Sequence, residues 1–294
     1  MTDPTPILVI GATGRVGRQV VAQLREADQP VRALTRQPAA AALPADVEVV
    51  AGDLTVPESL DRALDDVRAV FLVWATAFTT SAAVVARLAR SVERIVLLSA
   101  PHQTPHPFFQ QPNPMATLYA GLERMVMDSG IEATIVRPGM FAANAIGWWA
   151  PQIHEGDVVR WPYGAVETAP IDERDIAAVA VRALVDDGHA GRDYVITGPE
   201  SLSRADQVRA IGHAIGRPLQ FHEISPDEFR HGRAGAFPGP VADMLLAAWS
   251  AAAGIPAYVT STVTEVTGTP ARTFNEWAAA NAGAFETPPL PDRQ

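Results

Sequence analysis

From residue 6 to residue 137 the chain alternates short, unbroken apolar runs with longer stretches whose apolar positions recur every three or four residues. The runs are PILVI (6–10), VRALT (31–35), VEVV (47–50), AVFLVW (69–74), RIVLLS (94–99) and ATIVR (133–137). Strands that are apolar at successive positions are buried on both faces, as in parallel sheets. The stretches between them predict helices over 15–27, 57–64, 79–90 and 115–129. Strand and helix in alternation predict a doubly wound α/β fold, with helices covering both faces of a parallel sheet.

After about residue 140 the rhythm changes. The segment 172–187 reads as a helix, with Asp172 as N-cap and Asp175 in its first turn, and RDYVIT (192–197) as another strand. A helix over 203–216, a strand over 219–224 and further helices to 284 follow. The expected organisation is a sheet core of 1–140 plus 172–197, a smaller lobe of 141–171 plus 198–285 beside the sheet's carboxyl edge, and a mobile tail over 286–294. Between 100 and 114 five prolines exclude helix or inner strand, which leaves a long loop directly after a strand's carboxyl end. Open α/β sheets bind ligands at that edge.

Composition narrows the chemistry. The chain has 294 residues, 48% apolar content and a formal net charge of −10 with both signs mixed, which disfavours nucleic-acid binding. The absence of cysteine excludes disulfides, thiolate zinc sites and cysteine nucleophiles. The N-terminus lacks a signal peptide's basic and apolar regions, and no apolar run is long enough for a membrane span. A soluble, cytoplasmic protein without a membrane partner is expected.

The first strand runs into ILVIGATGRVG (7–17), a strand, a Gly-x-x-Gly-x-x-Gly loop and a helix. Gly11 permits the tight turn, Gly14 lets the main chain approach a phosphate, and Gly17 lets helix and strand pack closely. The helix N-terminus offers amides and partial positive charge to a pyrophosphate. Gly11, Thr13, Gly14, Arg15 and Val16 are therefore candidate dinucleotide contacts. The second strand ends in Thr35 and Arg36, not in the acid that grips the ribose of NAD. A guanidinium there pairs with a 2′-phosphate, and Arg15 could do so from the other side, so NADP(H) is expected. A solvated surface arginine is the alternative for Arg36. Asp53 and Leu54 follow the third strand and could bracket the adenine, or Asp53 merely caps the turn before Pro57. Ala75 and Thr76 follow the fourth strand, and their small size leaves room for the cofactor's ribose.

GATGRVG (11–17), LTR (34–36), GDL (52–54), RPGMF (137–141) and APIDERDIAAVA (169–180), with 194–225 and 271–285, together resemble the NmrA-like, atypical short-chain dehydrogenase/reductases. The resemblance covers essentially the whole chain. It implies a Rossmann core, an NADP(H) site and a small carboxyl-terminal substrate lobe. Similar folds serve quinone, aromatic-ring and imine reductases, and also regulators that bind the dinucleotide without turnover.

Carbonyl reduction needs hydride at carbon and a proton at oxygen. Tyrosine is a poor acid unless a neighbouring lysine lowers its pKa, which is why reductases of this kind carry Tyr-x-x-x-Lys on one helix face. In MATLYAGLERMV (115–126) the residue four after Tyr119 is Glu123, and a carboxylate beside the phenol would raise its pKa. If Glu123 instead matches the acid that often follows the lysine, Tyr119 takes the lysine slot and Met115 the tyrosine slot. The dyad is absent in both registers. Met115, Leu118, Leu122, Met125 and Val126 form an apolar stripe bordered by Tyr119, so Tyr119 is a packing residue, a substrate contact or a proton donor. Ser99, at the end of the fifth strand, is the other catalytic candidate, unless its hydroxyl only satisfies local main chain. Phe108, Phe109, Met140, Phe141, Trp148 and Trp149 either sandwich a flat substrate or form a seam between the lobes, and Asn144 is the polar side chain among them. His102 and His106 sit in the proline loop without a carboxylate, so no metal site is expected. No Gly-x-Ser-x-Gly elbow supports a hydrolase.

The expected function is NADPH-dependent reduction of an apolar small molecule, aromatic or quinone/enone-like, by hydride transfer without a Tyr-Lys dyad. The rival is a non-catalytic NADP(H)-binding sensor. The oligomeric state is not fixed by the sequence.

Overall fold

The computed structural model describes residues 5–232 and 237–286. At its centre is a parallel sheet. Its first six strands in chain order are β1 (Ile7–Ile10), β2 (Val31–Thr35), β3 (Glu48–Ala51), β4 (Ala69–Val73), β5 (Arg94–Leu98) and β6 (Glu132–Pro138). Two short strands, β7 (Val158–Trp161) and β8 (Glu167–Thr168), lie outside it, and β9 (Asp193–Ile196) returns to its edge. The spatial order is β3-β2-β1-β4-β5-β6-β9, all parallel.

Alternate strand residues build the two faces. Ile7 and Val9 join Phe71, Val96 and Val136 against α1 (Arg15–Glu26) and α6 (Glu173–Val185). Leu8 and Ile10 join Leu72, Ile95 and Leu97 against α2 (Asp61–Leu64), α3 (Ser81–Ser91) and α4 (Pro114–Met127). Both faces are apolar because both are covered, which is why the strands read as unbroken runs. The helix expected over 57–64 is split, a 3₁₀ turn Pro57–Leu60 leading into α2, with Pro57 fixing the tighter start. Pro114 opens α4, and the Asn113 side chain accepts the Met115 amide at 2.9 Å.

The apolar stripe expected along α4 stops short. Leu122 and Val126 are buried, but Met115 and Leu118 are 44% and 43% exposed. The first turn of α4 stands over a cavity at the sheet's carboxyl end, where Met115 is part of the wall.

The smaller lobe has its own core. It contains α5 (Asn144–Glu155), β7, β8, β10 (Leu202–Ser203), α7 (Arg204–Ala214), β11 (Gln220–Glu223), α8 (Pro226–His231) and α9 (Gly239–Ala251). α10 (Thr262–Thr267) follows, and α11 (Phe274–Ala280) closes the lobe. Trp149, Trp161, Trp249 and Trp277 are buried together with Phe229 and Phe274. α10 lies within the stretch expected for the lobe but packs on the sheet core, with Val263 buried there.

Helix α6 ties the two parts together. Asp172 caps it, accepting the Arg174 amide at 2.8 Å. Asp175, expected only to favour the helix dipole, is buried and takes both the amide and the guanidinium of Arg272. Glu173 accepts the Trp277 indole N–H at 3.1 Å, and burial raises its carboxyl pKa. Among the described residues no helix is long and apolar enough to cross a membrane. The tail expected over 286–294 lies outside the described residues from 287 onward.

Candidate functional site

β1 ends at Ile10 and α1 begins at Arg15, where the strand order reverses between β1 and β4. Gly11 turns the chain with φ +89°, and a Cβ there would stand 2.9 Å from that of Val73. A Cβ on Gly17 would stand 2.0 Å from the Gly11 carbonyl oxygen, so α1 can seat on the loop only with glycine at that position. Gly14 is the N-cap of α1 and supplies no side-chain cap. The first helical amides are thus left for an external acceptor, which fits a dinucleotide's pyrophosphate. Arg18 braces the loop: Nε donates to the Thr13 carbonyl at 3.1 Å, and Nη1 and Nη2 donate to the Ala42 and Ala41 carbonyls, each at 3.0 Å. Sequence reasoning missed this strut.

The resulting groove of about 440 Å³ is lined by Gly11, Thr13, Gly14, Arg36, Asp53, Leu54, Ala75 and Thr76, together with Thr35 and Gln37. Arg36 is exposed on its rim. Asp53 forms the turn: its Oδ1 accepts the Thr55 amide at 2.8 Å and the Thr55 hydroxyl at 2.9 Å. These two bonds, with a smaller contribution from the nearby Arg36 charge, hold its carboxyl below the usual range. The Asp53 amide donates to Ser59 Oγ at 2.8 Å. Two candidates stand apart from the groove wall. The Val16 side chain is buried in the sheet core, and Arg15 is exposed, its charge acting on the buried Glu173.

Val73, Ala75 and Thr76 also line a second cavity, so groove and chamber meet at the carboxyl end of β4. The chamber measures about 530 Å³, and Trp74, Phe78, Leu98, Ser99, Met115, Tyr119 and Phe141 complete its wall. Both catalytic candidates are therefore brought together here. Tyr119 sits edge-on to Phe78 with ring centroids 5.3 Å apart, and its hydroxyl donates to the Trp74 carbonyl at 3.0 Å. Burial raises its pKa. The expected direction is found, but its cause is desolvation, since Glu123 turns away from the phenol.

Glu123 is the centre of a cluster that the sequence reading did not foresee. It is 5% exposed, and Arg137 grips both its oxygens, Nε to Oε1 at 3.0 Å and Nη2 to Oε2 at 2.7 Å. Ser99 Oγ donates to Oε1. Ser99 thus bonds a carboxylate; it is neither a free hydroxyl nor a partner of local main chain. Arg137 also reaches Asp193 on β9, and its strong pairing holds the guanidinium charged despite burial. His102 Nδ1 lies 3.0 Å from the Ala100 carbonyl oxygen and Nε2 lies 3.6 Å from Glu123 Oε2, so a carboxylate does accompany this histidine. Among the described residues no group of three possible ligands could hold a metal ion. One signal was available: Arg137 is the one charge in the strand segment ATIVR (133–137), and a buried charge needs a partner.

The proposed aromatic wall is divided. Phe141 lines the chamber. Phe108, Phe109 and Met140 line a narrow pocket of about 10 Å³ with His106, Thr168 and Tyr258. His106 pins this loop, with Nε2 3.0 Å from the Pro256 carbonyl oxygen and Nδ1 accepting the Phe108 amide at 3.2 Å. Trp148 and Trp149 line neither cavity. They belong to the lobe core, where Trp148 stacks on Trp161 at 5.7 Å and Trp149 is fully buried. The helix α5 that carries them turns its apolar face to β7 and α9. Asn144 directs its Nδ2 at Met140 Sδ, 2.9 Å away, and is likewise outside the cavity walls.

The NAD(P)H-binding family matches residues 11–187. The chain is 39% identical, over 95% of its length and 99% of the relative's, to a (4-alkanoyl-5-oxo-2,5-dihydrofuran-3-yl)methyl phosphate reductase of Streptomyces griseus. It is 36% identical, over 95% of its length and 99% of the relative's, to an NAD(P)H azoreductase of Xenophilus azovorans. A solved NADPH-dependent quinone oxidoreductase of Escherichia coli, complexed with NADPH, has the same fold with a TM-score of 0.77 and 25% identity, over 93% of this chain and 99% of that one. The chain belongs to the NAD(P)H-binding family, as its ordered motifs implied.

Proposed function

We propose that this NAD(P)H-dependent oxidoreductase uses NADPH to reduce an apolar, conjugated small molecule, quinone-, enone- or aromatic-like, without a tyrosine–lysine pair. The observation that carries the reading is the junction at Val73, Ala75 and Thr76: the groove that suits a dinucleotide opens there onto a chamber walled by Trp74, Phe78, Leu98, Met115 and Phe141. When bound, the nicotinamide supplies hydride. The chain's residues do the rest. The glycine loop and the start of α1 hold the pyrophosphate, and Arg36, with no acid at the end of β2, favours a 2′-phosphate. The aromatic and aliphatic wall excludes water and orients a flat acceptor.

No lysine stands beside Tyr119, and the nearby buried charge pair, Glu123–Arg137, is closed on itself. A conjugated acceptor suits such a site because it disperses incoming charge and needs little help from an acid. The relatives are consistent with this: their names specify an oxo-dihydrofuran, an azo compound and a quinone as what they reduce.

The test is NADPH oxidation by the full chain against quinones, enones, azo compounds and simple ketones. Turnover is expected on the conjugated classes and not on simple ketones. Tight NADPH binding with no oxidation by any acceptor would establish the sensor reading instead.

A further inference from the structure

We infer that the chamber selects acceptors that carry their own hydrogen-bond donor, a phenolic O–H or an N–H, and seats that donor on the oxygen of Ser99. This rests on the reductase reading above and adds to it a substrate class.

A hydroxyl has one proton and two lone pairs. The question is where the protons of the chamber's hydroxyls point, and their partners answer it. Ser99 Oγ bonds Glu123 Oε1. Arg137 holds Glu123 as a carboxylate through both oxygens. A carboxylate has no proton to give, so Ser99 must be the donor in this bond. Turning that proton toward a ligand would leave two electron-rich oxygens facing each other in a buried site, where such mismatches cost most. His102 approaches the other oxygen, Oε2, so it cannot relieve that mismatch. Asp193 meets Arg137 from the far side and strengthens the pair without touching Ser99.

Tyr119 follows the same pattern. Its hydroxyl meets the Trp74 carbonyl at 3.0 Å, and a carbonyl can only accept. Both hydroxyls therefore show the chamber only lone pairs. Apart from Thr76, at the boundary with the groove, and the Trp74 indole N–H, a buried donor without a hydrogen-bond partner among the described residues, the remaining wall side chains are apolar or aromatic. An acceptor whose polar atoms are all carbonyl or ether oxygens meets lone pair against lone pair at Ser99. One bearing an O–H or N–H completes a hydrogen bond that Glu123 has prepared. Glu123 and Arg137 act here as positioning residues.

The probes are 4-(4-hydroxyphenyl)but-3-en-2-one and its 4-methoxy counterpart, in which a methyl group replaces the donor proton; the Ser99→Ala ratio separates the donor from the added bulk. Two quantities are measured on the full chain: kcat/KM with NADPH, and Kd for the NADP⁺-loaded protein, which does not require turnover. The hydroxyl compound is expected to be favoured about tenfold in both, the worth of one neutral hydrogen bond. In Ser99→Ala the ratio falls below about threefold. In Glu123→Gln the amide oxygen takes the place of Oε1, accepting from Ser99 and from Arg137 Nε, so the preference is retained. Because that variant disturbs a buried ion pair, Ser99→Ala is the arm that decides if it does not fold. A wild-type Kd ratio within about twofold, or a ratio undiminished in Ser99→Ala, overturns the inference even if both enones are reduced. Absence of NADPH oxidation with every acceptor overturns the reductase reading instead, and the Kd ratio still judges the inference.

Discussion

The groove and the chamber share Val73, Ala75 and Thr76, yet they are built from different materials. The groove is made largely of main chain: a loop that tolerates only glycine at Gly11 and Gly17, and a helix start left uncapped by Gly14. The chamber is made of side chains, and the hydroxyls of Ser99 and Tyr119 are committed inward, Ser99 to Glu123 and Tyr119 to the Trp74 carbonyl. One site is prepared to hold a charged group common to many proteins. The other offers apolar surface and a few fixed lone pairs.

The most damaging way to break this contrast is to open the chamber's buried ion pair. Arg137→Ala leaves Glu123 buried and unpaired, at an expected loss of about 3–5 kcal/mol of stability by denaturant unfolding. The folded fraction should still bind NADPH within about twofold of wild type, because the groove does not depend on that pair. Next comes the groove itself. Gly17→Ala places a Cβ 2.0 Å from the Gly11 oxygen, and NADPH affinity by fluorescence titration should drop about 100-fold or more. Retained affinity would mean that the loop does not form the nucleotide seat. Arg36→Ala should cost about tenfold in NADPH affinity and leave NADH unchanged, the signature of a lost charge-assisted contact to the 2′-phosphate. Equal losses for both nucleotides would assign Arg36 to the pyrophosphate or to general attraction. The smallest effect is expected from Tyr119→Phe: kcat on an accepted quinone or enone within about twofold of wild type, since the phenol's proton is held by Trp74 and its pKa is raised. A collapse of kcat would restore Tyr119 as the acid.

The same difference in material explains what could be read from the amino-acid order. Glycine spacing reports main-chain geometry directly, so the turn at Gly11, the helix at Arg15 and the sheet's buried strands were all legible. Side-chain partnerships across long separations were not. The contact between Glu123 and Arg137 depends on how α4 crosses β6, and that between Asp175 and Arg272 spans 97 residues. Trp148 and Trp149 misled for a related reason. Their position after the RPG turn suggested either a substrate wall or a seam between the lobes, but the orientation of α5 delivers them to the lobe's core, and orientation is a property of packing rather than of local pattern. That Glu123 would organise Ser99 was not legible from position 123.

The placement of β9 has a consequence for how this chain comes to be folded. β6 pairs with β9, from Ile135↔Asp193 to Pro138↔Ile196, and everything between them, including α5, β7 and β8, must be synthesised before that pairing can form. Until then β6 is an edge strand with a row of open amides and carbonyls, the kind of surface that recruits other strands. At its rim the Arg137 guanidinium, later shared with Asp193, puts a charge on that exposed edge. A fragment trimmed to the family match at 187 would keep the nucleotide loop whole but leave that edge permanently bare.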